Sequence, residues 1–168
     1  TRPTLDPAAS DWLLETAWGA DLHVMGRRAY RAMAARWGRS RRPEAAPFNR
    51  IGKAVFSNTL AEAHWPQTVI MTGDLSGEVR RLKASRGGYA LVHGGARLAR
   101  SLIEADLIDE YRLLIHPTLV REGVTLFERT PQLDLQSRES FPSGAIGAVY
   151  RPKDFSSADV GHGPAGSS

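Results

Sequence analysis

The stretch YALVHGGARLARSLIEADLIDEYRLLIHP, Tyr89 to Pro117, constrains this chain more than any other. An apolar run, Tyr89–His93, meets the glycine pair Gly94-Gly95, and the apolar residues then recur at helical spacing from Ala96 to Ala105. A second apolar run follows at Glu110–His116. Alternation of strands and helices, here and along the chain, argues for a mainly parallel sheet. Glycine between a strand end and a helix start leaves backbone N–H groups uncovered at the positive end of the helix dipole. No Cβ keeps an anion away. A glycine pair standing alone is also the ordinary way to make a tight turn.

A second site of the same kind lies upstream. Leu22-His23-Val24-Met25 runs into Gly26, then Arg27 and Arg28, and Tyr30, Met33, Ala34 and Trp37 recur on one helical face. Arginine at a helix N-terminus opposes the dipole, so helix stability does not explain the pair. A guanidinium fork beside free N–H groups suits a phosphate ester, whereas either arginine alone reads as a solvated side chain. After the strand Lys53–Phe56 come Ser57, Asn58 and Thr59, which can bond phosphate oxygens or simply close a turn. Three such strand ends fit the crevice of an open α/β sheet and an elongated, multiply phosphorylated ligand.

The remaining elements follow from local signals. Asp6 and Pro7 cap a helix expected over Pro7–Trp18 with Leu14, Ala17 and Trp18 turned inward. Further elements are a strand at Thr68–Thr72 and a helix over Gly77–Ala84 capped by Asp74. Two antiparallel strands, Leu133–Phe141 and Ala145–Tyr150, flank Pro142-Ser143-Gly144. Residues 1–153 make one domain, and FSSADVGHGPAGSS has the composition of a disordered tail, 154–168.

The quoted segments resemble the dihydrofolate reductase superfamily, in the branch of the C-terminal reductase domain of bacterial riboflavin biosynthesis. VMGRRAY, VFSNTL, the GG-containing strand–helix unit with DEYRLLIHP, and GVTLF carry the likeness. It implies an α/β three-layer fold: a mixed, mainly parallel sheet with helices on both faces and an antiparallel C-terminal strand pair. It also implies NADPH as cofactor, hydride transfer to a small heterocyclic or carbonyl substrate, a homodimer and a cytoplasmic location. By this resemblance Gly26, Arg27 and Arg28 hold phosphates, and Ser57, Asn58 and Thr59 meet the adenosine ribose and its 2′-phosphate. Gly94, Gly95 and Ala96 meet the pyrophosphate, with Arg97 and Leu98 behind them.

The sequence departs from that pattern in three places. Ala29 stands where the family usually has threonine. Val120-Arg121-Glu122-Gly123 replaces a more glycine-rich turn. No apolar run before Asp6 supplies the family's N-terminal central strand, so a sheet lacking it is expected, with exposed ladder groups. The chain then reads as a fragment, a late start or an incomplete site, and in the last case as a non-catalytic nucleotide-binding domain.

The net charge of +4 suits a polyanionic cofactor, and the cluster Arg36, Arg39, Arg41, Arg42 reads as a solvated loop rather than a nucleic-acid surface. No membrane partner is expected, because no window approaches about eighteen apolar residues. Zero cysteines exclude disulfides, and five histidines without ligand spacing point to no metal. Asp11, on the first helix, is the one candidate proton donor that pattern places; an exposed first-turn acid is its ordinary reading. Trp12 and Trp18 are either core residues or the walls of a flat pocket.

Overall fold

A computed structural model describes residues 6–85, 87–93, 95–119, 123, 127 and 132–153. The expected tail at 154–168 and the turn residues Val120, Arg121 and Glu122 lie outside them, as does Gly94. The described chain forms α1 (Pro7–Trp18), β1 (Ala20–Gly26), α2 (Arg27–Trp37), a 3-10 turn at Pro43–Ala45 and α3 (Ala46–Arg50). Then come β2 (Lys53–Phe56), β3 (Thr68–Met71), α4 (Leu75–Ala84), β4 (Tyr89–His93), α5 (Ala96–Glu104) and β5 (Tyr111–Ile115). The hairpin β6 (Leu133–Ser140) and β7 (Ile146–Pro152) ends the fold.

Four strands form one parallel sheet in the order β3-β2-β1-β4, and three form a separate antiparallel sheet, β5-β7-β6. Leu22, Val24 and Ala54 face α4 and α5 through Leu75, Val79, Leu98 and Leu102. Met25 and Val55 face α2 and the segment behind it through Tyr30, Met33, Phe48 and Trp65. Helices thus cover both faces of the parallel sheet, which is why β1 and β2 read as near-continuous apolar runs. The Tyr30 hydroxyl, buried with Trp65, accepts from the Trp65 backbone N–H at 3.1 Å.

α1 ties the two sheets together. Asp6 caps it by accepting from Ala9 N at 2.8 Å, and its second oxygen accepts from Ser143 N in the β6–β7 turn at 3.1 Å. Hydrogen bonds from the Ser143 side chain first, and from Ala9 N and Ser143 N, hold the Asp6 carboxyl below its ordinary pKa. Trp12 packs edge-on against Phe141, with ring centres 6.3 Å apart. A Cβ at Gly147 would sit 3.0 Å from the Trp12 ring, so that approach needs glycine. At the far end the Thr16 carbonyl accepts from the Tyr89 hydroxyl, and the Thr16 hydroxyl accepts from Arg112 at 3.0 Å.

β4 bonds only to β1 and β5 only to β7, so each keeps one open edge among the described residues. The expected buried strand Tyr89–His93 is correct in its bounds but not in its burial: Tyr89 is 37% and Ile115 of β5 is 47% exposed. Leu13 makes the same point. It lies one helical turn from buried Ala9, Thr16 and Ala17, at the centre of the inward face, yet is 38% exposed. A leucine so placed normally meets a strand. Leu13→Ala is therefore expected to cost only about 1 kcal/mol, against the 2–5 kcal/mol usual for a core leucine. Urea unfolding of the two chains checks this, and a core-sized loss would show that Leu13 is packed as a core residue.

Two inward assignments change. Trp18 is 46% exposed, because it ends α1 beyond the sheet and lies under Arg50, 6.0 Å from its ring centre. Leu14 is only partly buried; Ala9 and Thr16 take the inward positions instead. The loop after α2 also contains α3, whose five residues are too few to show a helical period.

Candidate active site

The parallel sheet brings the ends of β1, β2 and β4 to one rim. Gly26 lies opposite Phe56, which precedes Ser57, and Met25 lies opposite His93, which precedes the glycine pair. Two helices start there without any side-chain cap, α2 at Gly26 and α5 at Gly95. Gly95 has φ +84°, a conformation that disfavours any side chain. The two starts touch: a Cβ at Gly95 would lie 3.9 Å from that of Ala29, and one at Gly26 would lie 3.6 Å from that of Leu98. Two positive helix ends and their unclaimed N–H groups thus share one small area.

Arg27 joins the rim laterally. Its guanidinium donates to the Thr59 hydroxyl at 2.6 Å, linking the end of β1 to the loop after β2. Ser57 takes its turn-closing role: its hydroxyl accepts from Thr59 N at 3.2 Å and Leu60 N at 3.0 Å. Arg28, Asn58 and Arg97 are exposed, Ala96 is half-buried, and Leu98 belongs to the core behind the rim. The expected residues are therefore brought together, save Gly94, which lies outside the described set, and Asp11. Asp11 is exposed on the side of α1 opposite Ala9 and Thr16. It lines a groove of about 510 Å³ with Ser10, Trp18, Pro43 and Glu44.

Three ionisable groups that sequence reasoning passed over lie under α3. His23 on β1 is fully buried, and its Nδ1 is 2.6 Å from Nε2 of His93 on β4. The Phe48 ring covers both, with centres 5.5 and 5.7 Å away. Lys53, opposite His23 on β2, is also buried and donates to the carbonyls of Phe48 at 2.8 Å and Ile51 at 2.9 Å. Burial holds the Lys53 pKa down to about 8. Burial lowers His23 to about 4, with the Pro47 carbonyl opposing and the Lys53 charge assisting. Burial and the charge of His23 lower His93 to about 3. The only available signal was a histidine inside each of two apolar strands, and nothing in the sequence says those strands are neighbours. No group of three His, Asp or Glu among the described residues could hold a metal ion. Nor is any described helix long and apolar enough to cross a membrane.

Comparison with known proteins decides the family, because the model of the RibD C-terminal domain matches residues 5–146. The chain belongs to the RibD C-terminal domain family. YyaP of Bacillus subtilis (strain 168), described as uncharacterized, is 36% identical over 101 residues, or 58% of this chain and 53% of its own. The chain thus spans about half the length of that curated relative. Two solved RibD-like structures share the fold. The putative riboflavin biosynthesis protein of Shewanella sp. PV-4 matches at TM-score 0.67 and 22% identity, over 92% of this chain and 84% of its own. A pyrimidine reductase-like protein of Corynebacterium diphtheriae matches at 0.63 and 16%, over 89% and 83%.

Proposed function

We propose that this RibD-type domain binds NADPH along the rim formed by Gly26–Arg28, Ser57–Thr59 and Gly95–Ala96, and transfers its hydride to a small heterocyclic or carbonyl substrate. The observation that carries the proposal is the contact of two uncapped helix N-termini, at Gly26 and Gly95, beside the Arg27–Thr59 link. The positive helix ends and backbone donors suit a pyrophosphate. Arg27, Arg28 and the hydroxyls of the β2 loop suit a 2′-phosphate. The reaction itself belongs to the cofactor, while the protein orients it and keeps water out.

NADPH at a hundredfold its Kd should add about 2.7 kcal/mol to stability. For a domain of this size that raises the melting temperature by roughly 5–10 °C. NADH, lacking the 2′-phosphate, should raise it far less. An equal response to both, or none, would contradict the assignment. The open edges that β4 and β5 keep among the described residues favour a second reading, a nucleotide-binding domain without catalysis. Under that reading NADPH shifts the melting temperature yet is not oxidised in the presence of a pterin or aminopyrimidine panel.

A further inference from the structure

We infer that the arginines along α2 and the loop after it steer the cofactor to the rim. Arg31, Arg36, Arg39, Arg41 and Arg42 set how fast a polyanionic dinucleotide arrives, and the rim sets how long it stays. This role rests on the reading that the rim binds NADPH.

Charge in this chain is segregated. Residues 27–42 hold seven of its 22 basic residues and none of its 18 acidic ones, so the rest of the chain is net −3. The positive balance of the protein therefore resides in this one stretch. On α2, Arg28, Arg31 and Arg36 are exposed, and the other exposed positions of the helix are Ala32 and Ala35. A solvated helix face ordinarily sets acids four residues from bases, whereas here Arg27 and Arg31 stand at that spacing with like charge. Arg39, Arg41 and Arg42, all exposed, carry the positive face into the loop. None of the seven pairs with a carboxylate among the described residues. Arg27 donates to Thr59, and Arg36 lies over the Trp37 ring, 4.5 Å from its centre. Like charges gathered at a helix start weaken the helix, so folding does not explain them.

The face leads to the rim. α2 begins there at Gly26, and its eleven residues run about 16 Å away from it. At 10 mM ionic strength charges act over about 30 Å, so the whole stripe is felt at the rim. At 150 mM the range is about 8 Å, and only the first turns of α2 are felt. A dinucleotide bearing a 2′-phosphate is drawn more strongly than one bearing the pyrophosphate alone, so the stripe favours NADPH over NADH in rate. Exposed charges at the border of a site change association far more than dissociation. The aromatic side chains within the stretch, Tyr30 and Trp37, pack into the core with Trp65 and Phe48. No ring is therefore presented for a base to stack on, which favours the small cofactor over a nucleic acid.

The test is stopped-flow binding of NADPH and NADH to the full chain at 10, 150 and 500 mM ionic strength. Wild type should bind NADPH about tenfold faster at 10 than at 500 mM, with a smaller ratio for NADH. The double variant Arg39→Glu, Arg41→Glu should slow NADPH association about threefold at 10 mM alone. Arg31→Glu should slow it at both 10 and 150 mM, and neither variant should change dissociation. Arg138→Glu, on β6 in the other sheet, changes the net charge as much as Arg31→Glu and should leave association unaltered. Equal association rates in the stripe variants and Arg138→Glu, or a loss that appears in dissociation, overturn steering and leave the cofactor site standing. Duplex DNA binding at 150 mM that the stripe variants abolish, with NADPH association unmoved, assigns the face to nucleic acid instead. If NADPH binds at no ionic strength, the cofactor reading falls and steering with it.

Discussion

Acidification from pH 7 to pH 5 is expected to remove about 2–4 kcal/mol of folding stability, most of it traceable to His23 and His93. In the unfolded chain both rings titrate near 6.5; in the fold they are held at about 4 and about 3. Between these values the unfolded chain binds protons that the folded chain refuses. Stability is therefore full above 6.5, falls as pH drops through it, and stops falling only near the folded values. Each ring alone would lose about 2 kcal/mol by pH 5, and the lower figure allows for their sharing a proton. Lys53 adds a slope of the same sign at alkaline pH, since its folded value of about 8 lies below 10.5. Urea midpoints measured every half unit from pH 7.5 to 4.5 check this, with His93→Leu expected to lose about half of the dependence. A flat profile would mean that water reaches the two rings and that α3 does not seal them.

Replacement of Gly95 is the second large effect expected. With φ +84°, alanine at this position costs about 1–2 kcal/mol from backbone sterics, and valine more. The added Cβ meets only Ala29, at the ordinary distance of 3.9 Å, so the strain lies in the backbone and not in a clash. The same carbon would stand among the N–H groups at the start of α5, where the ligand must approach. Gly95→Ala should therefore lower the melting temperature by only a few degrees while weakening NADPH binding at least tenfold. Gly77→Ala, in the first turn of α4 away from the rim, is the comparison that separates helix-start effects from ligand effects. Equal NADPH affinity in Gly95→Ala and wild type would remove the glycine turn from the site.

What the sequence disclosed depended on how locally each feature is written. The bounds of β2 and β4 were legible to the residue, because an apolar run ends at Ser57 in one case and at the glycine pair in the other. The start of α1 was legible because Asp6 and Pro7 act on adjacent backbone. α3 was hidden, since a five-residue helix rich in Pro, Asn and Arg has no period to display. The rim was legible as three separate chemistries, but the Arg27–Thr59 bond and the touching of α2 and α5 depend on strand order, which no local pattern encodes. The His23–His93 contact is of the same kind. Its partners lie in strands that pair through the parallel crossover, far apart in the chain. The burial of Leu14, Trp18 and β4 was misjudged in one direction, because amphipathic spacing tells which face turns inward and not whether anything waits there.

Amide hydrogen exchange with and without NADPH tests the central claim most directly, since it reads every loop of the rim in one sample. The account predicts simultaneous protection of the backbone around Gly26–Ala29, Ser57–Thr59 and Gly95–Ala96, with the outer groove of α1 unchanged by the cofactor alone. Protection confined to one of these segments, or appearing along α1 and α3 instead, would contradict it.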